Sequence, residues 1–224
     1  MRTLKLLAAL LGYPSAELVA ALPELARRLG EDRSLRSATQ DALAGLLAEL
    51  KREDLFDLQE RYVAQFDTGR STSLHLFEHV HGDSRDRGQA MVDLNAIYAR
   101  AGFSLAGSEL PDFLPAVLEY LSTRPAEEVH EMLEDCAHIL RAVGERLQDG
   151  GSPYAAVFSA LLDLQGEPPL AAVTRERKAQ PEPSLDEDWQ DVPVQFGPPS
   201  GPNAAPPAGT QQSRPQFIRF VPKQ

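Results

Sequence analysis

A chain of 224 residues that is 42% hydrophobic holds one ordinary domain and little more, and its formal net charge of −11 disfavours nucleic acid or an anionic membrane as a direct partner. Its single cysteine, Cys136, excludes an internal disulfide framework and points to a reducing compartment. No run approaches the roughly 18 apolar residues of a membrane span.

The start, Met1 to Leu11, places Arg2 and Lys5 before a short apolar run that stops at Gly12-Tyr13-Pro14. No small-x-small cleavage pattern follows, so Leu4, Leu7, Ala8 and Leu11 read as one face of a first core helix rather than as a secretion signal. Helical spacing then predicts helices over 15–29, 37–50, 53–66, 73–80, 87–101, 110–122, 127–148 and 153–164, with no run of alternating β-branched residues. The clearest is 127–148, where Val129, Met132, Leu133, Cys136, Leu140, Val143 and Leu147 recur at three- and four-residue steps. Such a stripe needs a partner surface, so the expected fold class is all-α, a compact helical bundle with short connections.

Residues 1–170 are expected to form the helical domain, and the acidic surplus lies there: 27 acidic against 16 basic side chains, compared with six of each in 171–224. Ten of the 18 prolines fall between Pro181 and Pro222, which marks 171–224 as a Pro-rich flexible tail unable to bury enough surface to offset its ordering entropy. Two aromatic islands interrupt it, a docking candidate at 188–197 carrying Trp189 and Phe196, and Phe217-Ile218-Arg219-Phe220-Val221.

The densest polar information lies between Phe66 and Met91, with His75, His79, His81, Arg70, Arg85 and Arg87 among several carboxylates. His75-Leu76-Phe77-Glu78-His79 matches the H-x-x-E-H zinc-hydrolase pattern, which on a helix puts two imidazoles one turn apart. The competing reading is structural: each histidine pins loop to helix by hydrogen bonding to Glu78 or a backbone carbonyl. Past this segment Met91, Leu94 and Tyr98 form an i, i+3, i+7 stripe, suited to core packing or to the edge of a peptide groove. Pro111 and Asp112 suit the first turn of the helix over 110–122. No serine elbow, phosphate loop or dinucleotide fingerprint is present, and Glu127-Glu128 and Glu134-Asp135 read as solvated pairs.

Several segments together resemble the nitrate reductase molybdenum cofactor assembly chaperones, the delta-subunit or NarJ family. They are Leu10-Leu11-Gly12-Tyr13-Pro14, the run from Arg61 to Asp67, the long run from Ser73 to Met91, Glu109-Leu110-Pro111-Asp112-Phe113-Leu114-Pro115, and less closely Trp189 to Phe196. The broader chaperone group often has histidine after the Pro-Asp pair, where this chain has Phe113, as in the nitrate reductase branch. The resemblance implies a monomeric, cytoplasmic helical chaperone with no catalytic residues, no resident cofactor or metal, and no membrane insertion. It implies binding of the amino-terminal peptide of the immature catalytic (alpha) subunit until the bis-molybdopterin guanine dinucleotide cofactor is inserted. On that basis Tyr62, Phe66, Met91, Leu94 and Tyr98 are expected to line or underlie the peptide contact, and Glu78, Asp83 and Asp112 to attract its basic groups. Arg70, Arg85 and Arg87, with His75, His79 and His81, are expected to structure the loop. The alternatives are a zinc-dependent hydrolase using His75, Glu78 and His79, and a scaffold that docks through Trp189 and Phe196.

Overall fold

The structure, a computed structural model, describes residues 2–81, 85–105 and 109–171. Within them the chain is helical: α1 (Arg2–Leu11), α2 (Ala16–Gly30), α3 (Ser37–Arg52), α4 (Leu55–Phe66), a 3-10 turn (Arg70–Thr72), α5 (Glu78–His81), α6 (Arg85–Arg100), α7 (Leu114–Ser122), α8 (Ala126–Asp149) and α9 (Ala155–Leu164). One isolated β-bridge, His75 to Phe113, is the sole extended pairing among the described residues. The all-α expectation therefore holds.

Local chemistry sets the helix starts. The Ser15 hydroxyl accepts from the Leu18 amide at 3.2 Å to open α2, and the Asp54 carboxylate accepts from the Phe56 and Asp57 amides at 2.9 and 3.1 Å to open α4. Helix α3 has no such cap of its own. Instead Asp163 of α9 accepts from the Arg36 amide at 2.8 Å, while the Arg36 guanidinium lies 2.7 Å from its other oxygen as a charge contact rather than an aligned hydrogen bond.

Leu4, Leu7, Leu10 and Leu11 of α1 are wholly buried because α1 is covered by α2, α7 and α9. The α8 stripe expected from sequence is buried throughout, against α7 and α9. Each such side chain contributes about 1.5–3 kcal/mol on burial. Cys136 lies in this stripe, and burial pushes its thiol up to about 12, so at neutral pH it is a small hydrophobe rather than a nucleophile.

The α8–α9 crossing depends on Gly144, where an added Cβ would sit 2.8 Å from the Phe158 Cβ. Gly144→Val is expected to lower stability by about 1–3 kcal/mol in urea unfolding, because neither backbone can retreat. Gly166, at φ +70°, takes the left-handed conformation that ends α9 and turns the chain onto α8. There Arg141 donates to the Pro168 and Pro169 carbonyls at 2.9 and 3.1 Å, and Gln148 donates to the Ala171 carbonyl at 2.8 Å. Beyond Ala171 the expected tail, including 188–197, lies outside the described residues.

Two expected helices begin late. Residues 73–77 are not helical, so the helix expected over 73–80 reduces to α5, and the helix expected over 110–122 starts at Leu114 with Pro115 in its first turn. Both departures have one cause, described next.

Candidate functional site

Residues 73–77 and 111–114 are paired by backbone hydrogen bonds. The Leu76 amide donates to the Asp112 carbonyl at 3.1 Å, and the Leu114 amide donates to the Leu74 carbonyl at 2.8 Å. Between these two bonds His75 and Phe113 face each other as a non-hydrogen-bonded antiparallel pair, their rings 5.3 Å apart. Asp112 then closes the arrangement with its side chain: one carboxylate oxygen accepts from the Phe77 amide at 3.0 Å, and the other lies 3.2 Å from His75 Nδ1. Both strands are thereby committed to each other, which is why neither joins its helix.

Asp112 has no solvent exposure, and Leu74, Leu76 and Phe77 are buried around it. The expected attraction of Asp112 for basic peptide groups gives way to this internal role, because both oxygens are engaged inside the protein. Hydrogen bonding to Asp112 raises the His75 pKa above the usual imidazole value, against the lowering effect of burial. Since the folded value exceeds the unfolded one, the protonated pair's contribution is complete below about pH 6.5 and is lost as pH rises through the folded pKa. The stability gap between the natural chain and His75→Gln is therefore expected to narrow between pH 6 and pH 8 in urea titrations. A gap independent of pH would remove the His75–Asp112 charge coupling.

His79 is held differently. Its Nε2 donates to the Ser73 carbonyl at 2.8 Å, and burial lowers its pKa despite that bond, which favours the neutral ring. Glu78 pairs with Arg87 at 3.0 Å and joins α5 to α6. Burial alone would raise its pKa, but the Ser73 hydroxyl and Arg87 outweigh burial and hold it below the usual carboxylate value. His75, His79 and Arg87 thus each have a definite partner within the fold. Arg70 is exposed, and its charge helps lower the His79 pKa. Asp83 lies outside the described residues, as do the side chains of His81 and Arg85.

Ser73 went unassigned in the sequence, yet its carbonyl holds His79, its hydroxyl accepts from the His75 amide at 3.2 Å, and it helps lower the Glu78 pKa. The available signal was a serine two residues before a loop amide, a common side-chain turn.

The zinc-hydrolase alternative finds no support here. His75 precedes α5, so the two imidazoles do not lie one helical turn apart, and one nitrogen of each is taken by Asp112 or Ser73. Among the described residues no three histidine, cysteine or acidic side chains are grouped to hold a metal ion.

On α6, Arg87, Met91, Leu94 and Tyr98 share one face. Leu94 and Tyr98 are buried and Met91 is half-buried. The Tyr98 hydroxyl donates to the Pro111 carbonyl at 2.8 Å, tying α6 to the paired loops, and its ring packs on Phe103 and Tyr120. Tyr62 and Phe66 belong to a second aromatic series, Tyr13–Tyr62–Phe66–Tyr154, with centroid spacings of 5.5, 4.9 and 5.1 Å. Both are buried, and the Tyr62 hydroxyl donates to the Leu11 carbonyl at 2.8 Å. Tyr62, Phe66, Leu94 and Tyr98 can therefore underlie a contact surface but not form its outer layer.

A family model described as nitrate reductase delta subunit matches residues 32–160. The chain is 40% identical over 201 residues to the nitrate reductase molybdenum cofactor assembly chaperone NarJ of Escherichia coli (strain K12), a match covering 88% of this chain and 85% of that protein. The chain belongs to the nitrate reductase delta subunit family. It is also 40% identical over 203 residues to the probable assembly chaperone NarW of the same strain, covering 88% and 84% of the two chains. To the probable assembly chaperone NarJ of Bacillus subtilis (strain 168) it is 30% identical over 163 residues, covering 71% and 86%.

In this delta-subunit family member, no helix among the described residues is long and apolar enough to cross a membrane. In the paired loops Leu110 is 42% exposed and His75 and Phe113 are half-buried, and Met91 on α6 is half-buried as well. Exposed Glu109 and the Glu78–Arg87 pair lie beside them in sequence or on the adjoining helices. What these residues offer is apolar contact edged with charge, on a rigidly hydrogen-bonded base.

Proposed function

We propose that this chain is an assembly chaperone for a molybdenum-dependent nitrate reductase, acting in the cytoplasm as a monomer. It binds the amino-terminal peptide of the immature catalytic subunit and keeps that subunit competent for insertion of its molybdenum cofactor, without itself performing a reaction. The observation that carries this reading is the 40% identity to the E. coli assembly chaperone across 88% of the chain. The decisive experiment is co-purification with the immature catalytic subunit, followed by cofactor analysis of that subunit from cells with and without this chain. Normal cofactor loading in its absence would reject the assembly role.

For the contact itself we take the surface formed by Met91, Leu110, His75 and Phe113, with Glu78 and Glu109 attracting basic peptide groups. Leu94, Tyr98 and Asp112 support it from beneath, whereas Tyr62 and Phe66 belong to the Tyr13–Tyr154 aromatic series. A peptide that joins apolar and basic side chains suits such a surface, and helix-in-groove docking is the recognition mode that fits it. Met91→Asp is expected to weaken binding of the reductase's amino-terminal peptide at least about tenfold by calorimetry, roughly 1.4 kcal/mol. Unchanged affinity in the folded variant would take Met91 out of the contact.

A further inference from the structure

A second set of exposed apolar side chains stands on α4. Phe56, at 73% exposure, and Val63, at 39%, stand on either side of Gln59, and the three share one flank of the helix. The Gln59 amide donates to the Pro14 carbonyl at 2.9 Å, which brings the Gly12–Pro14 loop onto that flank. Tyr13 of this loop is 54% exposed and rests edge-on against Tyr62. Three of the five large hydrophobic side chains exposed among the described residues are thus gathered here, with exposed Glu17, Asp57 and Glu60 around them.

We propose that the Tyr13–Phe56–Val63 surface is the docking site of the chain's own segment Phe217–Gln224. The chemistry matches on both counts. The segment interleaves Phe217, Ile218, Phe220 and Val221 with Arg219 and Lys223, and no acidic side chain occurs after Asp191. The surface is apolar with an acidic rim, so it attracts this basic, apolar segment. The route is also short. Ala171 is held by Gln148 at the end of α8, the next turn leads to Tyr154, and from Tyr154 the aromatic series runs through Phe66 and Tyr62 to Tyr13. The chain between Ala171 and Phe217 spans on the order of 150 Å when extended, several times the width of a domain this size, so reach is no obstacle.

A second copy of the protein is the poorer occupant. Three exposed side chains fall well short of the roughly 1,000 Å² that a stable protein–protein interface buries, and two acidic rims would meet. A tethered segment escapes the size requirement, because the tether supplies an effective concentration in the millimolar range.

The test places a photoreactive p-benzoylphenylalanine at Phe220 in the full chain, irradiates it at low concentration and maps the cross-links by mass spectrometry. Intramolecular cross-links to Gly12–Pro14 and to α4 are expected. With Phe56→Asp and Val63→Asp combined, at positions whose exposure spares the fold, their yield should fall at least about tenfold. Cross-links to α6 or residues 110–113, dimeric products that rise with concentration, no cross-links, or an undiminished yield in the double variant would each overturn the proposal. The reductase peptide takes no part in this measurement, so failure of the chaperone reading would leave its outcome intact.

Discussion

Asp112→Ala is expected to lower the free energy of unfolding by about 3 kcal/mol, the lower end of the cost of breaking a buried charged pair. Two losses combine in that figure. The Phe77 amide, 3.0 Å from the carboxylate, is left inside the protein without its acceptor, which by itself costs about 1–3 kcal/mol. His75 loses the partner that raises its pKa, but it is partly exposed and water recovers some of the deficit. Asp112→Asn keeps an oxygen for the Phe77 amide and surrenders the charge, so about half of the loss should return. Urea unfolding supplies the energies, and hydrogen exchange at Leu76 and Phe77 shows whether the pairing of 73–77 with 111–114 opens first. A cost below about 1 kcal/mol for Asp112→Ala, with both amides still protected, would mean that backbone bonds alone hold the loops together.

The same carboxylate explains where the sequence could be read and where it could not. Helix α8 was legible because its period is its own: Val129 through Leu147 repeat on one face over about five turns, and any core against that face buries them. Residues 73–80 have helical spacing too, with His75 and His79 four apart. The competing interaction, however, comes from Asp112, 37 residues away in sequence, and no local window contains it. For the same reason the helix expected from residue 110 waits until Leu114. In the candidate site the sequence offered residues without their depth. A stripe such as Met91, Leu94 and Tyr98 says that one face of α6 is covered, not which member meets water. That depends on Pro111, Phe103 and Tyr120, which the fold brings in from other elements. Tyr13 and Phe56 were illegible for the opposite reason, since a large hydrophobic side chain left exposed has no periodic mark.

Depth is also what separates the two tyrosine substitutions that follow from the α6 geometry. Tyr98→Ala is expected to cost about 3–5 kcal/mol, the range for emptying a buried aromatic site, because the ring is 1% exposed and touches both Phe103 and Tyr120. Tyr98→Phe removes only the hydroxyl that donates to the Pro111 carbonyl and should cost about 1 kcal/mol. Burial raises the phenol's pKa far above its ordinary value, so the hydroxyl remains a donor at every pH at which the protein is handled, and neither cost should vary between pH 6 and pH 8. Peptide affinity provides the contrast. Met91 lies two turns earlier on the same face but is half-buried, so charging it should weaken binding. Tyr98→Phe in the folded protein should leave affinity within about twofold, which is about 0.4 kcal/mol. If Tyr98→Phe weakened binding as much as Met91→Asp, the hydroxyl–Pro111 tether would be setting the position of residues 110–113 for the incoming peptide, and the boundary between core and contact surface would run beneath Tyr98 rather than above it.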